Sequence, residues 1–184
     1  MTEKEKMLSG LPYLAGDETL IKERRQAKRL LRQLNVTEYL VTKTAKSIIK
    51  ELIPNAGKNF YVEPPFHCDY GYNIHSGENV YFNVNCVVLD CAKVTIGKHV
   101  LFGPGVQIYT ATHPLDAEER KTLESAKPIT IGDNCWIGGG AIILPGISIG
   151  DNCVIGAGSI VTKNIPNDSM AVGNPAKVIK KLNA

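Results

Sequence analysis

The spacing of hydrophobic positions changes abruptly near residue 60. Before it, residues 17–34 place Leu20, Ile21, Ala27, Leu30, Leu31 and Leu34 on one helical stripe, with Lys and Arg filling the other face. Asp17 stands where it can cap this helix. Asn35 followed by Glu38 has capping-box spacing, and predicts a second helix carrying Leu40, Val41, Ala45, Ile48, Ile49 and Leu52. Pro54 stops it, and Asn55-Ala56-Gly57 reads as a turn. Two amphipathic helices of this size cannot bury their own stripes, so they must lie on something else.

From residue 131 onward the period is six. Ile131, Ile137, Ile143, Ile149, Ile155 and Val161 are evenly spaced, and Gly132, Gly138, Gly150 and Gly156 each follow an aliphatic residue directly. Four positions after each aliphatic residue stand Cys135, Ala141, Ile147, Cys153, Ser159 and Ile165, which are mostly small. An earlier run, Ile96-Gly97, Phe102-Gly103 and Ile108, obeys the same rule in another phase, and degenerate hexads led by Val84 and Asp90 extend it backward. The small residue and the next aliphatic one are two apart, so both face one side of a short strand. The Gly, Asn or Asp between strands suits a sharp corner. Strand and corner in alternation wind a prism with an aliphatic interior that leaves little room for large rings. The phase breaks over residues 109–128, where an excursion is inserted, and long insertions are often functional.

Composition sharpens this reading. Aromatic residues make up only 7%, and eleven of the 17 glycines fall between Gly97 and Gly158, at the expected corners. No apolar run approaches the roughly 18 residues of a membrane span. The net charge of +3 is divided as +5 over residues 1–60 and −2 over the remainder, without blocks of one sign, so neither a nucleic-acid nor a membrane partner is expected. Cys68, Cys86, Cys91, Cys135 and Cys153 are odd in number and include no C-x2-C pair, which fits neither a disulfide framework nor a zinc ribbon. With no apolar region following the charged N-terminus, the expected setting is a reduced cytoplasm. Cys135 and Cys153 occupy the small inward slot and are expected in the core, not as nucleophiles.

The stretch 131–166, IGDNCWIGGGAIILPGISIGDNCVIGAGSIVTKNIP, resembles the hexapeptide-repeat acyltransferase signature. Together with residues 1–60, VEPPFHCDYGYNIHSGENVYFN (62–83) and TATHPLD (110–116), it resembles the maltose/galactoside O-acetyltransferase family over almost the entire chain. The resemblance implies a mainly β fold: a left-handed parallel β-helix with an N-terminal pair of α-helices and an extended catalytic loop. The expected organisation is a helical segment at 1–58, a β-helix at 59–166 carrying the inserted loop 109–128, and a C-terminal tail at 167–184. The family also implies a homotrimer with active sites between subunits, and acetyl-CoA as co-substrate with no metal.

Its motifs assign roles residue by residue. His113, at the root of the excursion, matches the general base that takes a proton from the acceptor hydroxyl. Asn83 in VYFNVN matches a residue near both acceptor and thioester, orienting the hydroxyl or steadying the oxyanion. Asp69, Tyr81, Asp90, Glu124 and Arg24 match acceptor-binding positions, with Glu124 in a loop that is one residue shorter than usual and lacks its Gly. Cys91 stands where the galactoside enzymes have a second acid, a departure away from a galactoside acceptor. Gly139 and Ala157 match positions that approach the pantetheine arm. Thr162, Lys163, Lys177 and Lys180 match contacts to the coenzyme phosphates, and Trp136 is expected to serve both as packing and as a site wall. The implied activity is O-acetyl transfer to a sugar such as maltose or glucose. Galactoside, lipo-oligosaccharide and xenobiotic acceptors remain open. So does a metalloenzyme resembling γ-class carbonic anhydrase, although His67, His75, His99 and His113 do not have its ligand spacing.

Overall fold

A computed structural model describes residues 1–37 and 42–182. Three helices precede the repeats, one more than the periodicity predicts. The additional α1, Glu3–Leu8, is six residues long and begins with a capping box from Thr2 and Glu5. α2, Glu18–Asn35, starts at the foreseen Asp17, whose side chain accepts the Thr19 and Leu20 N–H groups. α3, Lys43–Leu52, is capped by Thr42 and not by Asn35. Asn35 belongs to α2, and its amide pairs with both backbone groups of Phe66 at 2.9 and 3.0 Å. Glu38, Leu40 and Val41 lie outside the described residues. The stripes of α2 and α3 pack into one core with Val62, Phe66, Ile74 and Phe82, so the helices cap the first coil. That burial supplies what their own short length cannot.

The repeats form a parallel β-helix with three faces. The first face stacks Tyr61–Val62, Tyr81–Phe82, Leu101–Phe102, Trp136–Ile137, Val154–Ile155 and Ser169–Val172. The second stacks Phe66–Cys68, Cys86–Leu89, Gln107–Tyr109, Ile142–Ile143 and Ile160–Val161. The third stacks Ile74–Ser76, Val94–Ile96, Ile129–Ile131 and Ser148–Ile149. The aliphatic and small slots of residues 131–165 all face inward and are buried, Cys135 and Cys153 among them. Residues 169–181 are not a loose tail. Ser169–Val172 continues the first face, and Lys177–Lys181 turns back antiparallel against it.

Two sequence expectations change. The corner angle does fall on Gly or Asn between strands, at Asn85, Gly105, Gly140 and Gly158 on the first corner, but not on the glycine directly after each aliphatic residue. At the third corner, between the third and first faces, the left-handed conformation falls two positions later, at Asn79, His99, Asn134, Asn152 and Asp168. Gly97 is required by contact between coils: a Cβ there would stand 2.3 Å from Asp133 Oδ1 and 2.6 Å from the Gly132 carbonyl carbon. The interior also admits rings. Phe66, Phe82 and Phe102 are buried inside the early coils, and the Phe82 and Phe102 rings stack with centroids 4.1 Å apart.

The register breaks by insertion three times rather than once, and by a two-residue deletion between Val161 and Ile165, which pairs Ile165 with Ile149. The inward position advances eight residues from Cys68 to Ser76, eight from Val88 to Ile96, and twenty-three from Ile108 to Ile131, as the aligned strands show. Hexads led by Val84 and Asp90 are therefore out of phase. All three insertions fall at the second corner, between the second and third faces, in consecutive coils. This stacks the turns 69–73 and 90–93 on the root of the excursion. Thr110 ties them together, its buried hydroxyl donating to Leu89 O at 2.6 Å and accepting from Ala92 N at 2.9 Å.

Candidate active site

The second corner gathers Asp69, Asp90, Cys91, His113 and Glu124. The excursion that carries His113 is a short antiparallel hairpin, Ala111–Thr112 against Ser125–Ala126, which sets His113 beside Leu123 and Glu124 at its open end. His113 Nδ1 lies 3.3 Å from Leu123 O. A carbonyl oxygen only accepts, so Nδ1 carries the proton and the neutral ring keeps its lone pair on Nε2. Glu124 is fixed despite the shortened loop. It exchanges both backbone hydrogen bonds with Tyr13, at 2.9 and 3.0 Å, and its Oε2 accepts from the Tyr13 hydroxyl at 3.1 Å.

Asp69 is half-buried, and Cys91 Sγ donates to its Oδ2 at 3.5 Å. Burial raises the Asp69 carboxyl above the ordinary range; the Cys91 thiol and Arg24 oppose that rise, and Glu124 adds to it. Arg24 comes close enough to act on Asp69, yet its guanidinium is already engaged, donating to Tyr70 Oη at 2.7 Å and Ala15 O at 2.6 Å. Burial pushes the Cys91 thiol well up, reinforced by Asp69, so it stays protonated and is no nucleophile.

Asp90 has a different place from the acceptor ligand that its motif implies. It has no exposed surface. Its Oδ1 accepts from the Asp69 and Tyr70 N–H groups, and its Oδ2 from those of Gly71 and Asn73, at 2.7–3.3 Å. No oxygen is left for an acceptor. Burial raises its carboxyl to about 6, against the pull of the Tyr70 and Gly71 N–H groups and with a contribution from nearby Asp69. Asp90 holds the turn that presents Asp69. Replacing it, Asp90→Ala, orphans four buried or half-buried donors, so unfolding free energy should drop by about 3–5 kcal/mol. A chemical-denaturation midpoint close to that of the unmodified protein would contradict this assignment.

The remaining predicted residues lie on other edges. Asn83, Gly139 and Ala157 stack at the first corner, between the first and second faces. Val84 N donates to Asn83 Oδ1 at 2.8 Å, which leaves the Asn83 amide N–H2 pointing its donors elsewhere. The corner is stripped of side chains where the coils touch. A Cβ on Gly138 would meet Ala157 N at 2.5 Å, and one on Gly103 would meet Gly139 N at the same distance. The Gly139 and Ala157 N–H groups join none of the hydrogen bonds between coils. Lys177 lies at the far end of this edge, opposite Val172. From Asn83 to there are five strand steps, roughly 24 Å at the usual spacing. Thr162 and Lys163 instead follow Ile160–Val161 at the second corner, and Lys180 faces Met170 on the first face.

Trp136 and Tyr81 belong to an outward row on the first face: Tyr61, Tyr81, Leu101, Trp136, Val154 and Met170 are in mutual register. Trp136 is 56% exposed and Leu101 51%, so more than half of the tryptophan surface is left uncovered by its own chain. His67, His75 and His99 lie on the second face, on the third face and at the third corner. Among the described residues, no three His, Cys, Asp or Glu side chains converge in a way that could hold a metal. Sequence reasoning missed Tyr13 and Tyr70, which have no place in either period; the one trace of Tyr13 is an isolated aromatic residue in an aperiodic stretch.

Comparison with known proteins bears on this architecture. Residues 128–163 match the hexapeptide repeat of succinyl-transferase, and residues 6–57 match the maltose acetyltransferase hexapeptide capping motif. The solenoid and its helical cap thus define a hexapeptide-repeat acetyltransferase. A maltose O-acetyltransferase from Clostridium difficile 630 is 54% identical, with 100% of this chain and 99% of that one covered and a TM-score of 0.97. A hexapeptide-repeat-containing acetyltransferase from Vibrio cholerae O1 biovar eltor, complexed with acetyl coenzyme A, is 38% identical over 100% of both chains, with a TM-score of 0.92. A galactoside acetyltransferase in complex with coenzyme A is 42% identical, covering 100% of this chain and 92% of that one, with a TM-score of 0.94. The chain belongs to the maltose/galactoside family of hexapeptide-repeat O-acetyltransferases.

Proposed function

We propose that the protein transfers acetyl from acetyl-CoA to a hydroxyl of a sugar such as maltose or glucose, by direct attack with His113 as general base. The observation that carries this reading is the hydrogen bond from His113 Nδ1 to Leu123 O, which leaves Nε2 free to receive a proton. The acceptor hydroxyl lies between Asp69 and Glu124, gives its proton to Nε2 and attacks the thioester carbonyl carbon. The oxyanion that forms is met by the Asn83 amide N–H2. Collapse expels the coenzyme A thiolate, which recovers the proton from the imidazolium. No enzyme residue is acylated.

The active unit in this reading is a homotrimer. His113 and Asn83 sit at opposite ends of the second face, Asn83 before the strand Cys86–Leu89 and His113 beyond the strand Gln107–Tyr109 stacked on it, so a strand length of about 13 Å at 3.3 Å per residue lies between their corners. A neighbouring copy supplies the missing half. The outward rows favour such contact: the first face is apolar, the second carries Val87, Ile142 and Ile160 in line with His67 and Gln107, and the third is polar with His75, Thr95, Thr130 and Ser148. Unlike apolar faces suit a heterologous contact that closes a ring. The coenzyme arm runs along the first corner, with its amides on the Gly139 and Ala157 backbone. Lys177 and Lys180 from one edge, and Thr162 and Lys163 from the other, meet the phosphates. No helix among the described residues is long and apolar enough to cross a membrane; a cytoplasmic enzyme fits this reading.

The test is release of free thiol from acetyl-CoA across a panel of mono- and disaccharides. Acceptor-dependent release with maltose or glucose is expected. Reaction only with non-sugar hydroxyl compounds would overturn the acceptor, and no release with any acceptor would overturn the activity.

A further inference from the structure

The two carboxylates at the second corner come from distant parts of the chain. Asp69 follows the strand Phe66–Cys68, and Glu124 ends the excursion. One side chain touches the surroundings of both. Tyr13, only 1% exposed, packs with Met7, Leu20, Tyr70, Cys91 and Ala126. Its hydroxyl donates to Glu124 Oε2 at 3.1 Å and is within hydrogen-bond reach of Cys91, whose Sγ in turn contacts Asp69 Oδ2 at 3.5 Å. Burial, then Cys91 and Glu124, push the Tyr13 hydroxyl far up from its ordinary range, so it remains a donor at every working pH.

The backbone of Tyr13 contributes as well. Its N–H and C=O bridge those of Glu124 and tie the N-terminal segment to the hairpin by one antiparallel bridge. Leu123, the residue that orients His113, is next in line. The segment is itself anchored, since Leu14 N donates to Glu3 Oε2 at 2.6 Å and Lys4 pairs with Glu23 of α2 at 2.6 Å.

We infer that Tyr13 is a positioning residue of the acceptor half-site: its hydroxyl fixes the Glu124 carboxylate in relation to Asp69, and its backbone holds the segment whose Leu123 carbonyl orients His113. The inference rests on the acceptor reading above. Tyr13 touches no reacting atom in it. Its hydroxyl occupies one Glu124 oxygen and directs the other toward the acceptor.

The experiment uses the full chain, with maltose and acetyl-CoA as probes and a double-mutant cycle of Tyr13→Phe and Glu124→Gln. Tyr13→Phe keeps the ring and the backbone bridge. It should raise the maltose KM about ten- to a hundredfold, as expected for losing a hydrogen bond to a charged group, with the acetyl-CoA KM unchanged. In the Glu124→Gln background the same change should cost less than about twofold, because the two residues act as one unit. Multiplicative losses in the two backgrounds, or an equal rise in the acetyl-CoA KM, would overturn the inference. A second measurement needs no acceptor. The imidazole nitrogen spectrum of His113 should keep its Nδ1–H tautomer in Tyr13→Phe and lose that bias in Tyr13→Ala, which also removes the buried ring. An unaltered tautomer in a folded Tyr13→Ala protein would count against the positioning role. Failure of maltose to react with the unmodified enzyme would count against the acceptor reading alone.

Discussion

His113→Ala should lower kcat by about 10²- to 10⁴-fold, the range for removing a positioned general base, while leaving the acetyl-CoA KM and the melting temperature unchanged. The expectation comes from the place of His113. It is exposed within its own chain, and its side chain holds one weakly directed hydrogen bond, to Leu123 O. Removing it therefore costs little packing. The backbone donors proposed for the coenzyme are at the first corner, a full face away. The nearby Cys91 and Tyr13 are poor substitutes as bases, because burial holds both in their protonated forms. Rate measurements at saturating acetyl-CoA with a thiol-detecting reagent read the effect directly. A variant that kept the unmodified kcat would remove His113 from the reaction; one that lost kcat and melting temperature together would make it structural.

The interior of the prism was legible in the sequence because its rule is local. A buried strand two residues wide needs one aliphatic and one small residue at fixed spacing, and Ile131 to Val161 write that rule six times. The corners were less legible. Gly97 and His99 both serve the same bend, one for clearance between coils and one for its left-handed backbone, and their types do not say which does which. The functional edge was visible only as its largest break. The two shorter breaks, at 69–73 and 90–93, contain no signal until the register of the strands is known. Asp90 shows the limit most clearly. A carboxylate in a motif reads the same whether it faces a sugar or four backbone N–H groups, and only its burial separates the two. Tyr13 was out of reach for a different reason: its partner is 111 residues away, and neither lies in a periodic segment.

Mixing two inactive variants should restore activity. Asn83→Ala removes the donor proposed for the oxyanion and should cost about 10²- to 10³-fold in kcat, in addition to the loss predicted for His113→Ala in the other variant. Within one chain these residues occupy two different corners of the prism, joined by the strand Cys86–Leu89. The proposed shared site takes His113 from one copy and Asn83 from the next. When the two variants are co-expressed or refolded together in equal amounts, random assortment in a symmetric ring gives both functional residues to about a quarter of the sites. Recovered turnover should approach that fraction of the unmodified rate, at least about 25-fold above either variant alone given the losses predicted for each. The separately purified proteins, mixed without subunit exchange, should remain inactive. Recovery requires that the first corner of one subunit reach the second corner of its neighbour, which a site held within a single chain does not allow. Co-assembled trimers no more active than the separate variants would therefore break the shared-site arrangement, even if each single loss were as large as predicted.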